Sequence, residues 1–237
     1  MRALHTAFLL GTGVFWAAAY VLIIRAGMRE RTFGMPVVAF ATNMSWEFMF
    51  AFVRPQAGVM QVVNIVWFCF DLAIAYTVVR FGRTEFPYLP ERLFLPALGA
   101  VLLLAYPGMN FASEQFDHGE GGITAFGSNV AMSAMFLGML AARRGLRGQS
   151  PGIALTKLVG TACASLTLLT DPDAVPRHET ALMHYFYVAC LVLDAAYVYA
   201  VYAVRRHDAQ RRHADEAGRA GTATTPGTGL PVHGLDG

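Results

Sequence analysis

Seven apolar runs, each about as long as a bilayer is thick, constrain the fold of this chain more than any other feature. They cover residues 5–25, 36–54, 61–80, 93–110, 123–142, 153–170 and 182–204. About 20 apolar residues in a helix cross a hydrocarbon core of about 30 Å. In lipid every backbone N–H and C=O must find a partner within the protein, which a helix provides along its own length. The expectation is an all-α, polytopic membrane protein, a seven-transmembrane-helix bundle. Composition agrees: 55% of the 237 residues are hydrophobic and 14% are charged, against about 25% charged in soluble domains. Arg2 and the small residues Ala17, Ala18 and Ala19 give the first run some likeness to a signal peptide. The run continues through Ile24, however, beyond the ~7–15 residues of a signal core.

Short connections between the runs predict consecutive helices packed as antiparallel neighbours. Charge then sets the orientation. Connections after the first, third and fifth runs carry Arg25, Arg29, Arg31, Arg80, Arg83, Arg92, Arg143, Arg144 and Arg147, and the segment after the seventh adds Arg205, Arg206, Arg211, Arg212 and Arg219. The alternate connections hold only Arg2, Arg54 and Arg177. The positive-inside rule therefore predicts the N-terminus outside and the C-terminus in the cytoplasm. Basic residues so arranged are orientation signals and give no reason to expect nucleic-acid binding. Residues 1–204 read as one transmembrane domain and 205–237 as a cytoplasmic tail, disordered in its Gly/Thr/Pro-rich part. Cys69, Cys163 and Cys190 fall inside the runs without the spacing of a metal site or a disulfide framework.

Three carboxylates, Glu47, Asp71 and Asp194, interrupt this apolar pattern near the middle of their runs. A carboxylate at that depth costs about 2.5–3.5 kcal/mol on insertion scales, which marks such residues for function. Burial favours the neutral form of a carboxyl group, and a neutral carboxylic acid among aromatic rings is a proton donor. Helical spacing repeats one design three times. Asn43, Trp46, Glu47 and Phe50 share a face, as do Asn64, Trp67, Phe68 and Asp71, and as do Tyr187, Cys190, Asp194 and Tyr197. A short outer turn between the second and third helices allows Glu47 and Asp71 to meet. The blander reading is that these polar groups bond helices to one another. Three of them on aromatic faces at similar depth favour chemistry.

Other motifs carry less. Lys157, the chain's sole lysine, lies in the sixth run, whereas a retinal Schiff base is expected in the seventh. Snorkelling or pairing with a carboxylate suits it better. The outer segment from Glu114 to Glu120 is acidic and reads as a solvated loop. Met132, Met135 and Met139 share a face that suits lipophilic packing. DDxxD, DxDD, HExxH, P-loop and GxSxG patterns are absent from the sequence, so no metal site and no cofactor is expected.

Asn43–Met44–Ser45–Trp46–Glu47–Phe48 resembles the N-x-S-W-E-F signature of the small integral-membrane terpene cyclases of fungal meroterpenoid and indole-diterpene biosynthesis, a family with bacterial relatives. Trp67–Phe68–Cys69–Phe70–Asp71 matches it too. So do Arg143 with Gly148–Gln149–Ser150, Lys157 and Gly160, and Cys190 to Tyr197 around Asp194. The resemblance spans nearly all seven helices and stops at the tail. It implies a bacterial cytoplasmic membrane protein in which Glu47 and Asp194 are the acids that drive cyclisation, with Asp71 at a third carboxylate position. It further implies a lipophilic prenylated aromatic or indole substrate, drawn from among the membrane lipids and carrying a farnesyl chain. An acid protonates a terminal alkene or epoxide, alkenes close onto the cation, and a base removes a proton. Asn43, Trp46, Trp67, Phe68, Tyr187 and Tyr197 are then the expected substrate-binding residues. Two other readings compete: a proton-coupled transporter of a small lipophile, since midplane carboxylates serve relays, and a non-catalytic receptor or scaffold. The transporter lacks an internal repeat, and the receptor lacks a large soluble face.

Overall fold

The computed structural model describes residues 2–171 and 180–223, with side chains to Arg211. Seven helices follow one another: α1 (Arg2–Glu30), α2 (Val37–Phe48), α3 (Val59–Phe81), α4 (Glu91–Ala112), α5 (Gly122–Arg143), α6 (Pro151–Leu169) and α7 (Ala181–Ala223). No strand occurs among the described residues. Six helices are long and apolar enough to cross a membrane. The shorter one, α2, is extended through Val53 by a single π-helical turn. The chain is an integral-membrane helical bundle.

Local chemistry accounts for several helix ends. Pro36 and Pro90 precede α2 and α4, where a ring without an N–H suits a helix start. Ser150 accepts a bond from the Ile153 N–H at 3.2 Å, with Pro151 in the first helical position. The buried carboxylate of Asp117 accepts from the backbone N–H groups of Ile123 at 2.5 Å and Thr124 at 2.8 Å, and so caps α5. Glu114 in the same segment pairs with Arg54. The acidic outer loop is therefore held to the bundle rather than freely solvated, because two of its carboxylates complete a helix end and an ion pair.

Packing departs from sequential order. Consecutive helices meet closely at α2–α3 and α6–α7, but the principal contacts also join α1 to α6 and α3, α5 to α7, and α2 to α4 and α5. Following these contacts, α1, α3, α2, α5, α7 and α6 close a ring, and α4 lies outside against α2. A connection of a few residues, at about 3.3–3.6 Å each, spans more than the 8–10 Å between packed axes. Short loops thus permit skipped neighbours. The widest contact, α1 on α6, places Arg2–Glu30 inside the bundle. It relies on glycines: a Cβ on Gly160 would come within 2.8 Å of the Trp16 ring.

Two polar clamps tie the end opposite the α2–α3 connection. Arg143 donates to the Phe33 carbonyl at 2.9 Å, lies over the Phe33 ring, and with Arg147 pairs with Glu85. Glu30 accepts from the Gly148 N–H at 2.7 Å. The last helix runs past the apolar stretch to Ala223, so Arg205–Ala223 is helical where a tail is expected. Five alanines and five arginines among its 19 residues favour helix there. Pro172, Asp173, Arg177 and the segment from Thr224 to Gly237 lie outside the described residues.

Candidate active site

A cavity of about 420 Å³ lies between α1, α2, α3, α5 and α6, within the roughly 300–1,000 Å³ common for small-molecule sites. His5 and Tyr20 both line it. Fifteen residues of helix separate them, so it extends about 22 Å along α1. Its mouth, near the α2–α3 connection, carries His5, Gln56, Glu120 and Asp171. Its depth is apolar and aromatic, with Met132, Phe126 and all three tryptophans of the chain, Trp16, Trp46 and Trp67.

Glu47 stands in the deep wall, 2% exposed. Tyr20, reaching across from α1, donates its hydroxyl to Glu47 Oε1. The amide nitrogen of Asn43, one helical turn before Glu47, lies 3.0 Å from the same Oε1, 2.5 Å from the Tyr20 hydroxyl and 3.0 Å from Asp71 Oδ2. Two amide hydrogens thus serve three oxygens. Asp71, fully buried on α3, does not line the cavity but meets Glu47 both directly, carboxyl to carboxyl, and through this shared amide. Glu47 Oε2 has no hydrogen-bond partner in the protein. One oxygen of the carboxyl is loaded with donors; the other is buried on the protein side.

Aromatic packing fixes this group. The Tyr20 ring lies 5.7 Å from Phe70 and 6.4 Å from both Trp16 and Trp67. Trp46 donates its indole N–H to the Gly121 carbonyl at 3.1 Å and packs 4.6 Å from Phe50. Gly121 is at φ +89°, and a Cβ there would overlap the Phe50 ring, so only glycine lets the α5 start approach α2 this closely.

The remaining expected residues fall elsewhere. Asp194 is fully buried and pairs with Lys157 at 2.6 Å, outside the cavity lining. Lys157 also donates to Ser133 at 2.6 Å and Asn129 at 3.1 Å. Phe68 packs against Phe48 and Phe52 on the side of α3 turned toward α2. Tyr187 packs edge-on against Phe126, one layer behind the wall. Tyr197 donates to Gln149 at 2.9 Å, beside Phe136. A helical face spans an arc, and neighbours crossing at an angle leave only part of it on the cavity. Tyr20 and Trp16 are site residues that the sequence reading passes over. Their signal was an i, i+4 aromatic pair, with a hydroxyl, in a run lacking carboxylates.

Among the described residues no group of three or more His, Cys, Asp or Glu side chains is arranged to hold a metal ion.

Comparison with known proteins bears on this geometry. Residues 1–207 match the family described as Pyr4-like transmembrane terpene cyclases. The Pyr4-family terpene cyclase mfmH of Annulohypoxylon moriforme is 30% identical over 202 residues, covering 81% of this chain and 82% of its own. Terpene cyclase cle7 of Aspergillus versicolor is 30% identical, covering 85% and 87%. Terpene cyclase pyr4 of Aspergillus fumigatus is 26% identical, covering 87% and 90%. No solved structure matches the chain. With a family match running from the first residue to within α7, this chain belongs to the Pyr4-like transmembrane terpene cyclases.

Proposed function

We propose that this cyclase works by general acid catalysis, with Glu47 as the acid. A single observation carries the reading: Glu47 lies in the wall of an apolar, tryptophan-lined cavity with its Oε1 held by the Tyr20 hydroxyl and the Asn43 amide. The proton of the Glu47 carboxyl passes to the terminal alkene or epoxide of a prenyl chain. The negative charge left on the carboxylate is held by the Tyr20 hydroxyl and the Asn43 amide, donors already in place before reaction. Alkenes of the chain close in turn onto the cation. A base then removes a proton from the carbon beside the last cation, leaving an alkene, so the product is an isomer of the substrate. Faces of Trp16, Trp46 and Trp67 stabilise the moving charge, an interaction worth about 2 kcal/mol when desolvated. An apolar wall limits water, which would quench the cation.

The cavity is graded, and the substrate follows the gradient. A farnesyl chain occupies the deep end with its terminus at Glu47. Its aromatic or indole head group sits at the mouth, beside His5, Gln56, Glu120 and Asp171. Such a prenylated meroterpenoid or indole partitions into membrane lipid and enters from there. The N-terminus lies outside and the C-terminus in the cytoplasm on the reading of the chain's arginine asymmetry. The relatives named above come from fungi.

Membranes bearing the protein, incubated with a farnesylated indole with and without a terminal epoxide, test this. The expected result is a cyclic isomer of unchanged mass, identified by mass spectrometry and NMR, and lost in Glu47→Gln. The amide keeps the shape of the side chain but cannot supply the acidic proton. A fully active Glu47→Gln enzyme would remove Glu47 from the mechanism.

A further inference from the structure

The second buried cluster lies behind the cavity. Lys157 on α6 is 1% exposed and Asp194 on α7 is fully buried. The ammonium group bonds Asp194, Ser133 and Asn129, using all three of its protons. It also lies 5.5 Å from the centre of the Trp16 ring and 6.0 Å from that of Phe136. Trp16, Asn129 and Met132 line the cavity, whereas Lys157 and Asp194 do not. A fixed positive charge thus stands one side chain behind the wall of a site that, on the proposed function, holds a carbocation.

We infer that Asp194 serves as the counter-ion of Lys157, cancelling its charge at the cavity, and does not act as a second acid. Three observations support this. Asp194 does not reach the cavity lining. Its Oδ1 is committed to an ammonium group at 2.6 Å, the geometry of an ion pair, and its Oδ2, which has no partner in the protein, is buried away from the cavity lining. The pair also has a structural use: because lysine only donates, its bond to Asn129 Oδ1 turns the Asn129 amide nitrogen toward Thr161, 3.2 Å away. Lys157 therefore joins α5, α6 and α7 at one point beneath α1. Asp194 and Lys157 are positioning residues, acting on the cation through the field and through Trp16. Without Asp194, a charge about 10 Å from the cation, at an effective dielectric of about 20, slows its formation by roughly tenfold to twentyfold.

This inference rests on the carbocation reading above, and the experiment separates the two. Wild type and Glu47→Gln, assayed with the farnesylated indole and its epoxide, test that reading first. Then Asp194→Asn, Lys157→Met and the double variant are compared in turnover and, after purification in detergent, in thermal melting. Asp194→Asn is expected to lose at least about tenfold in kcat with KM held, since the lost charge acts on the cation and not on the neutral substrate. The double variant is expected to recover the kcat and melting temperature of Lys157→Met. A double variant that folds but is as inactive as Asp194→Asn, beside an active Lys157→Met, would overturn the counter-ion role in favour of direct acid chemistry. Loss of activity in both Lys157→Met and the double variant would overturn it as well. Melting alone tests the charge balance even without turnover: a double variant no more stable than Asp194→Asn would refute it.

Discussion

Tyr20 supplies the hydroxyl that meets Glu47, yet it sits in a helix whose apolar run carries no carboxylate. Removing that hydroxyl leaves one oxygen of the carboxylate short of a donor when negative charge appears on it. Tyr20→Phe is therefore expected to fold, bind substrate with similar KM, and lose about a hundredfold in kcat, the scale set by removing one preorganised donor. Single-turnover assays check this, and an unchanged rate would leave Asn43 as the sole support of the conjugate base. The contrast between Tyr20 and Glu47 shows what the sequence makes legible at this scale. Glu47, Asn43, Trp46, Trp67 and Asp71 announce themselves because a polar group in an apolar run is costly and helical spacing gathers its neighbours. A tyrosine in such a run costs little, and its one mark is the i, i+4 spacing from Trp16. Asp194 announces itself just as Glu47 does, but its partner Lys157 lies 37 residues earlier, on another helix. Depth in the membrane is legible from sequence; which of two buried carboxylates faces a cavity depends on how the helices are rotated.

Helix identity was legible for the same reason as Glu47, since length and apolarity are properties of each run alone. Helix order around the ring was not. Loops of a few residues reach second neighbours as easily as first ones, so the pairing of α1 with α6 is decided by surface fit. Gly160 is the sharpest instance of that fit, because its missing side chain makes room for Trp16 and hence for a wall of the cavity. Gly160→Val is expected to push α1 from α6 and turn Trp16 from its place. Overpacking of this kind costs about 1–3 kcal/mol, so melting should fall by several degrees. The more telling readout is chemical: partly cyclised products should rise relative to the fully cyclised one, because a cation loses an aromatic face midway. A product ratio identical to wild type, with lowered stability, would reduce Trp16 to packing.

At the scale of the whole molecule, charge and cavity lie at opposite ends. Fourteen arginines belong to the connections and the C-terminal segment on one side, and three to the other. The cavity mouth opens at the poorly charged end, beside the α2–α3 connection and the α5 start, where Gln56 bonds the Glu120 carbonyl. If the positive-inside rule sets the orientation, the mouth faces away from the cytoplasm and the substrate head group is received at the outer leaflet. Two exposed positions report this. Tyr88 lies in the α3–α4 connection at the arginine-rich end, and Gln115 lies between α4 and α5 at the mouth end. In a background with Cys69, Cys163 and Cys190 replaced by alanine, Tyr88→Cys should react with a membrane-impermeant maleimide only in inverted vesicles. Gln115→Cys should react only in right-side-out cells. The reverse pattern would place the mouth in the cytoplasm and overturn the orientation, while leaving the acid chemistry at Glu47 untouched, because that chemistry depends on the cavity wall and not on which leaflet supplies the chain.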